Sequence, residues 1–360
     1  MKITQLKTTL VEVPFDQPIR TALHDMRSIG CVLVELETDE GVIGESYSFT
    51  LNAVRLRALH EMILGFRHQV EGRSPYFVEA IWAGIWNEMN PIGHKGFSIA
   101  ALSALDMACW DLIGKAANLP LHKIFGACRE EVRTYASGGL WLSQSIETCL
   151  KEADEFINQG FRSMKIRLGS ENIAEDVERV REIRNHVGDR VELLSDVNQA
   201  LSAKQAIRLG RELEEFNLGW LEEPVAYHDL KGHAEVRAAL TIPVATGETE
   251  YTRYGMRHII EADAVDILMP DLQRIGGYTE FRRSAALAAS HDIPVSSHMF
   301  TEHSLCIAAS ESNCISVEHM PWCSRLFNEE MEIRGGNIVV PDRPGTGFTF
   351  DRAEVKKLAR

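Results

Sequence analysis

The first fifty residues carry a period-two rhythm of apolar and polar positions. "TTLVEVPF" (8–15) and "CVLVELETDEGVIGESY" (31–47) read as strands, the second folding back on itself as a hairpin at Asp39–Gly41. The rhythm then lengthens. In "ALSALDMACWDLIGKAA" (101–117) Leu102, Leu105, Ala108, Cys109 and Leu112 recur three and four apart, the spacing of one helix face. Around Gly126 the texture changes again. From Val132 onward short β-rich runs alternate with amphipathic helical segments at a steady interval: "VRTYASGG", "SMKIRLG", "VELLSDV", "LGWLEEP", "PVATGE", "AVDILMPD", "PVSSHMF" and "ISVEHM", with helices such as "AEDVERVREIRNHVG" between them. Strand, helix, strand without a hairpin signal requires parallel strands and crossover helices, and eight such strands make a TIM-like barrel. The tail, with "GGNIVVPDRPGTGFTF", is β-like and turn-rich. The pattern predicts an α+β unit at 1–127, a TIM-like barrel at 128–325 and a C-terminal segment, 326–360, packing back on the first unit.

Composition narrows the partners. The 360 residues are 45% hydrophobic and 25% charged, the balance of a globular protein with a sizeable core. A formal net charge of -14 argues against nucleic acid or an anionic membrane surface, although a local cation cluster could still hold an anionic small molecule. No apolar run is expected to reach the roughly 20 residues that span a bilayer, and the N-terminus has no signal-like apolar segment. Seven cysteines without a CxxC pair suit free thiols in a reducing, cytoplasmic setting.

The chemistry concentrates where barrel enzymes keep it, at the C-terminal ends of the strands. The second strand carries Lys165 and Arg167, two positions apart and so on one face. The third ends in Asp196, with Asn198 beyond it; the fourth in Glu222 and Glu223; the fifth in Glu248; the sixth in Asp271; the seventh in His298; the eighth in Glu318. Asp196, Glu222 and Glu248 are one strand–helix unit apart, which sets three carboxylates side by side. They would repel one another unless a cation sat between them, and an all-oxygen set suits Mg2+ better than zinc. Asp271 and His298 end neighbouring strands, where a carboxylate can fix an imidazole as a general base.

These motifs resemble the enolase superfamily, and within it the mandelate racemase group: "KIR" at the Lys-x-Lys position, then "SDVNQ", "WLEEP", "GE", "MPDLQRIGG", "SSHMF" and "VEHM". The resemblance covers nearly the whole chain and implies an α+β N-terminal capping domain (1–127), a (β/α)7β TIM-like barrel (128–325) and a C-terminal segment (326–360) returning to the cap. It implies that Asp196, Glu222 and Glu248 bind Mg2+, that Asp271 and His298 form a base dyad, that Lys165 binds the substrate carboxylate, and that Glu318 donates a hydrogen bond to an enediolate. A symmetric homo-oligomer is also expected on this ground.

One position departs from the group's pattern. The second lysine, a base on the opposite face in the racemases, is Arg167 here. Neutralising an arginine at pH 7 costs about 9 kcal/mol against about 4.6 kcal/mol for a lysine, so arginine is a poor base and a good clamp. One-base chemistry through His298 follows: abstraction of the proton α to a carboxylate, then loss of a β-hydroxyl, as in the acid-sugar dehydratases. Two alternatives stay open. One is a racemase, epimerase or lactone cycloisomerase acting on a hydroxy acid, and the other a non-catalytic barrel that binds metal and an acid sugar. Substrate choice is expected from the cap loop "PIRTALHDMRS", through His24 and Arg27, with "NPIGHKG" as a second lid.

Overall fold

In the computed structural model, which describes residues 1–360, the cap opens with an antiparallel sheet of β1 (Ile3–Arg20), β2 (Asp25–Thr38) and β3 (Ile43–Leu51). Alternation drives it: Val32, Val34 and Leu36 of β2 face a helical layer that includes Leu59, Ile63 and Leu105. The central helix of that layer, Phe97–Ala116, buries all five residues predicted to form its face. This helix corrects the expectation about membrane spans. By length and composition alone it could cross a bilayer, yet 83% of its most apolar 18-residue window is buried against the cap sheet and the barrel helices.

All eight predicted barrel strands form: β4 (Glu131–Ala136), β5 (Ser163–Arg167), β6 (Glu192–Asp196), β7 (Leu221–Glu222), β8 (Val244–Thr246), β9 (Ile267–Leu268), β10 (Val295–Ser297) and β11 (Cys314–His319). Each pairs in parallel with the next, and β11 returns to β4 through Val317↔Thr134, which closes the barrel. Seven helical crossovers connect them. The helix Ile173–Val187 shows why: Asn172 caps its start by accepting from Ala174 N, Val177, Val180 and Ile183 point inward, and Gly188 ends it. Tyr135, Leu194, Trp220, Ala245, Ile267 and Met269 fill the barrel interior beneath the strand ends.

The tail divides between the two layers. A small hairpin of β12 (Ile333–Arg334) and β13 (Asn337–Val339) adds antiparallel to β4 on the barrel. Beyond it, Arg352 pairs with Glu35 and Glu45 of the cap sheet, and Ala359 bridges to Val11. All seven cysteines are free thiols.

Candidate active site

Between cap and barrel lies a cavity of about 300 Å³ at the C-terminal ends of the strands. The backbone there is strained: Asn198, Gln199, Glu223, Met299 and Phe300 all adopt positive φ in the turns that follow β6, β7 and β10. At Glu223, with φ 38°, the turn breaks the alternate-face rule of the strand. As a result Glu223 lines the cavity, while Glu222 is fully buried beneath it.

Lys165 is the hub. Its ammonium, 1% exposed, lies 2.7 Å from Glu318 Oε1, 2.8 Å from Glu222 Oε1 and 3.7 Å from Asp196 Oδ2. Burial opposes its charge, but Glu222 and Glu318 outweigh that and hold the pKa well above the usual lysine range. Burial likewise lifts the Glu222 carboxyl, against the pull of Lys165; with an ammonium at 2.8 Å and Trp220 Nε1 donating at 2.9 Å, the ion pair is the state we assign. Glu318 is held far below the carboxylate range: burial would raise it, but Lys165, His298 and Arg167 prevail. It accepts from Ser137 Oγ at 2.5 Å and Met299 N at 2.7 Å. In this geometry it also faces the Lys165 ammonium and anchors it.

Arg167 stands beside it, 3% exposed. Its Nη2 donates to Ser137 Oγ at 2.9 Å, its plane lies 4.6 Å from the Trp141 ring centroid, and its Nε is 3.5 Å from Asp196 Oδ2. Neither Nε nor Nη1 has a hydrogen-bond partner, although both are buried. Buried unpaired donors are costly, so the guanidinium is preset for an acceptor in the cavity.

The dyad is formed. His298 Nδ1 meets Asp271 Oδ2 at 2.7 Å, and Asp271 Oδ1 accepts from Arg274 N at 2.9 Å. That contact assigns the neutral ring's proton to Nδ1 and leaves Nε2 as the basic atom, 3.3 Å from Glu248 Oε2. Burial lowers the imidazole pKa, but Glu248 and then Asp271 reverse this, and the net direction is upward.

The metal expectation meets a mixed geometry. Asp196 and Glu248 line the cavity as expected, whereas no three His, Cys, Asp or Glu side chains converge closely enough to hold an ion between them. The donor chemistry nevertheless fits a hard cation. Glu223 Oε1 and Asn198 Oδ1 are buried acceptors without a partner. Burial, then the Glu248 and Asp196 charges, push the Glu223 carboxyl up to about 8. An oxygen-only set with uncompensated negative charge suits Mg2+.

Asn198 lines the cavity and donates from Nδ2 to Asp196 Oδ2 at 3.0 Å. His24 reaches the mouth, exposed. Arg27 is corrected: it is exposed and outside the cavity, because its neighbour Met26 faces the cavity and alternation along β2 turns Arg27 the other way. The "NPIGHKG" segment stays outside too, with His94 stacked on Trp86 and Lys95 paired with Glu250. Sequence reasoning missed Gln199, Tyr227, Thr249, Trp141 and Trp322, all of which line the cavity. Gln199 follows the "SDVN" motif directly, a signal that could have flagged it; the two tryptophans offered none.

Residues 3–126 match the N-terminal domain family of mandelate racemase / muconate lactonizing enzymes, and residues 148–355 match the enolase C-terminal domain-like family. The chain is 31% identical to the L-talarate/galactarate dehydratase of Salmonella typhimurium, over 97% of this chain and 89% of that protein. It is 32% identical to the 3,6-anhydro-alpha-L-galactonate cycloisomerase of Streptomyces coelicolor, over 99% of both. It superposes with a TM-score of 0.95 on an L-talarate dehydratase from Polaromonas sp. complexed with Mg and L-glucarate, at 33% identity, covering 100% of this chain and 97% of that one.

Proposed function

The chain belongs to the enolase superfamily, in its mandelate racemase / muconate lactonizing enzyme group, and from that premise we propose that it is a Mg2+-dependent enzyme that removes the proton α to a carboxylate and dehydrates an acid sugar to a 2-keto-3-deoxy acid. The observation that carries this reading is the dyad of Asp271 and His298: one imidazole, oriented through Nδ1, in a cavity that Arg167 and not a second lysine also lines.

Asp196 and Glu248 at the cavity, with Glu222 of the same motif set and the unpartnered Glu223 Oε1 and Asn198 Oδ1 nearby, would hold Mg2+, which when bound supplies positive charge where the enediolate oxygens develop negative charge. The other duties fall to the chain's own groups. Arg167 Nε and Nη1 bind and orient the substrate through an acceptor oxygen. Lys165 adds a fixed positive charge without giving up its proton, because Glu222 and Glu318 stabilise the ammonium. His298 Nε2 takes the α-proton, and the imidazolium so formed is stabilised by Asp271. The same proton then serves the departing β-hydroxyl, which leaves as water. Arg167, at about 9 kcal/mol from neutrality, supplies no second base.

The test is incubation of the Mg2+-loaded protein with a library of acid sugars, scoring keto acid. Water loss with keto product supports dehydration, and chelator should abolish it until Mg2+ is restored. Recovery of epimerised or cyclised acid without keto product contradicts dehydration and favours an isomerase.

A further inference from the structure

We infer that the acid taken by this site has a hydrocarbon end: a monocarboxylate hydroxylated next to the carboxylate and terminating in a methyl or similar apolar group, as in a 6-deoxyaldonate, and not a dicarboxylate. This inference rests on the proposed function and narrows its substrate.

The cavity has two unlike walls. Above β6 to β8, Asn198, Gln199, Tyr227 and Thr249 present polar atoms beside the carboxylates. Facing the cap, the lining is Trp141, Met320 and Trp322 from the barrel and Met26, Phe49 and Leu51 from the cap. This apolar wall is built, not incidental. The Trp141 and Trp322 rings stack at 5.8 Å and 19°, Arg167 packs on Trp141, and Phe15 of β1 packs on Trp322 at 5.0 Å. Phe49 is pinned through its backbone, its N donating to Gln273 Oε1 at 2.7 Å and its carbonyl accepting from Gln273 Nε2 at 3.2 Å, with its ring 5.3 Å from Phe300. A column of aromatic rings therefore runs from Arg167 to the cap sheet.

The charges point the same way. Lys165 is committed to three carboxylates, Arg274 belongs to the polar wall where its Nη1 donates to the Glu248 carbonyl at 2.7 Å, and Arg167 carries the buried unpaired donors, so every arginine and lysine of the cavity lies on the barrel side. No lysine or arginine of the cap lines the cavity, and the one cap side chain there that can carry charge, His24, is exposed at the mouth next to Leu23, itself 55% exposed. A second carboxylate set against that wall would lose water against indole and thioether with no lysine or arginine of the cap in exchange, and a terminal hydroxyl there would find only Thr21, whose Oγ1 already accepts from the Leu23 and His24 N–H groups. A methyl group loses nothing there and gains contact.

The experiment compares three acids of matched stereochemistry, a hexonate, its 6-deoxy counterpart and the corresponding hexarate, with the full-length Mg2+-loaded protein. The readouts are the α-proton exchange rate in D2O by NMR and the thermal shift on binding. The 6-deoxy acid should exceed the hexonate by about tenfold in kcat/KM and in affinity, and the hexarate should be the weakest. A hexarate or hexonate that equals or beats the 6-deoxy acid overturns the inference, as does a failure of all three to shift the protein. Binding in the expected order without exchange leaves the inference standing and sinks the proton-abstraction reading. Leu51→Arg places a cation on the apolar wall and should move the preference toward the hexarate; an unchanged order counts against the assignment of that wall.

Discussion

Barrel and cap face the same cavity but are built to different rules. On the barrel side the groups are buried and over-determined: Lys165 faces three carboxylates, Glu318 accepts from three donors and His298 is oriented by Asp271. On the cap side the contribution is mostly hydrocarbon surface, carried on strand ends and the loop around His24, with Leu23 and His24 in solvent. The difference teaches a division of labour. Reacting groups need positions fixed to a fraction of an ångström, which strand ends supply. A wall that selects by shape and polarity tolerates exchange, so selectivity can reside in the cap without disturbing the chemistry.

The largest effect should come from the barrel. His298→Asn is expected to lower kcat by about a thousandfold while substrate affinity stays within a few fold, the signature of a lost general base. Next comes Lys165→Met. It leaves Glu222, Glu318 and Asp196 without their shared ammonium, and should cost about 3–5 kcal/mol of stability in urea unfolding in addition to activity.

A pH titration probes the layer beneath both regions. Burial holds His303, whose ring lies 5.4 Å from Tyr47 of the cap, down to about 3, and His319 at the end of β11 down to about 4. Both are neutral in the fold and take up protons near pH 6.5 when unfolded. Their stabilisation is therefore complete above pH 6.5 and lost as pH falls toward 4, by about 1.4 kcal/mol per pH unit for each group. The part that His303 contributes is read as a difference: between pH 7.5 and pH 5 the urea midpoint of His303→Gln should lose less, or gain more, than that of the wild type. Glu302 runs the opposite way: burial lifts it to about 7, so its contribution fades as pH rises from its unfolded value through 7.

Cap substitutions should be milder. Met26→Ala is expected to raise KM by about tenfold with kcat nearly unchanged, through loss of apolar contact with the substrate. The smallest effect is expected for Arg27→Ala, which should leave both constants within about twofold because the side chain is outside the cavity. A large kcat loss from either would erase the division between the two regions.

How much of this could be read from the chain also splits along that line. The eight strands, their closure and the ring of Lys165, Asp196, Glu248, Asp271, His298 and Glu318 were legible because period-two runs at a constant interval put each C-terminal residue at the same height. The Glu222–Glu223 pair was not resolved by pattern, since the positive φ at Glu223 turns that side chain into the cavity while Glu222 stays buried beneath it. Trp141 and Trp322 stack across 181 residues, and no local spacing announces such a contact. Arg27 looked like a ligand because the segment around it is charged; alternation along β2 gives the cavity to Met26 and solvent to Arg27, and which of the two faces the cavity is set by how the cap sits on the barrel. The helix Phe97–Ala116 hid its apolar length behind scattered Ser, Asp and Lys positions, which face partners such as Thr279 and Glu45.

The central claim is that a single imidazole removes the α-proton of a bound carboxylate. Its most direct test follows that proton by NMR in D2O, for one accepted acid, in the wild type and in the His298→Asn and Arg167→Met variants. The account predicts α-exchange in the wild type, slower but present exchange in Arg167→Met, and none detectable in His298→Asn despite retained binding. Exchange that survives in His298→Asn and disappears in Arg167→Met would contradict it.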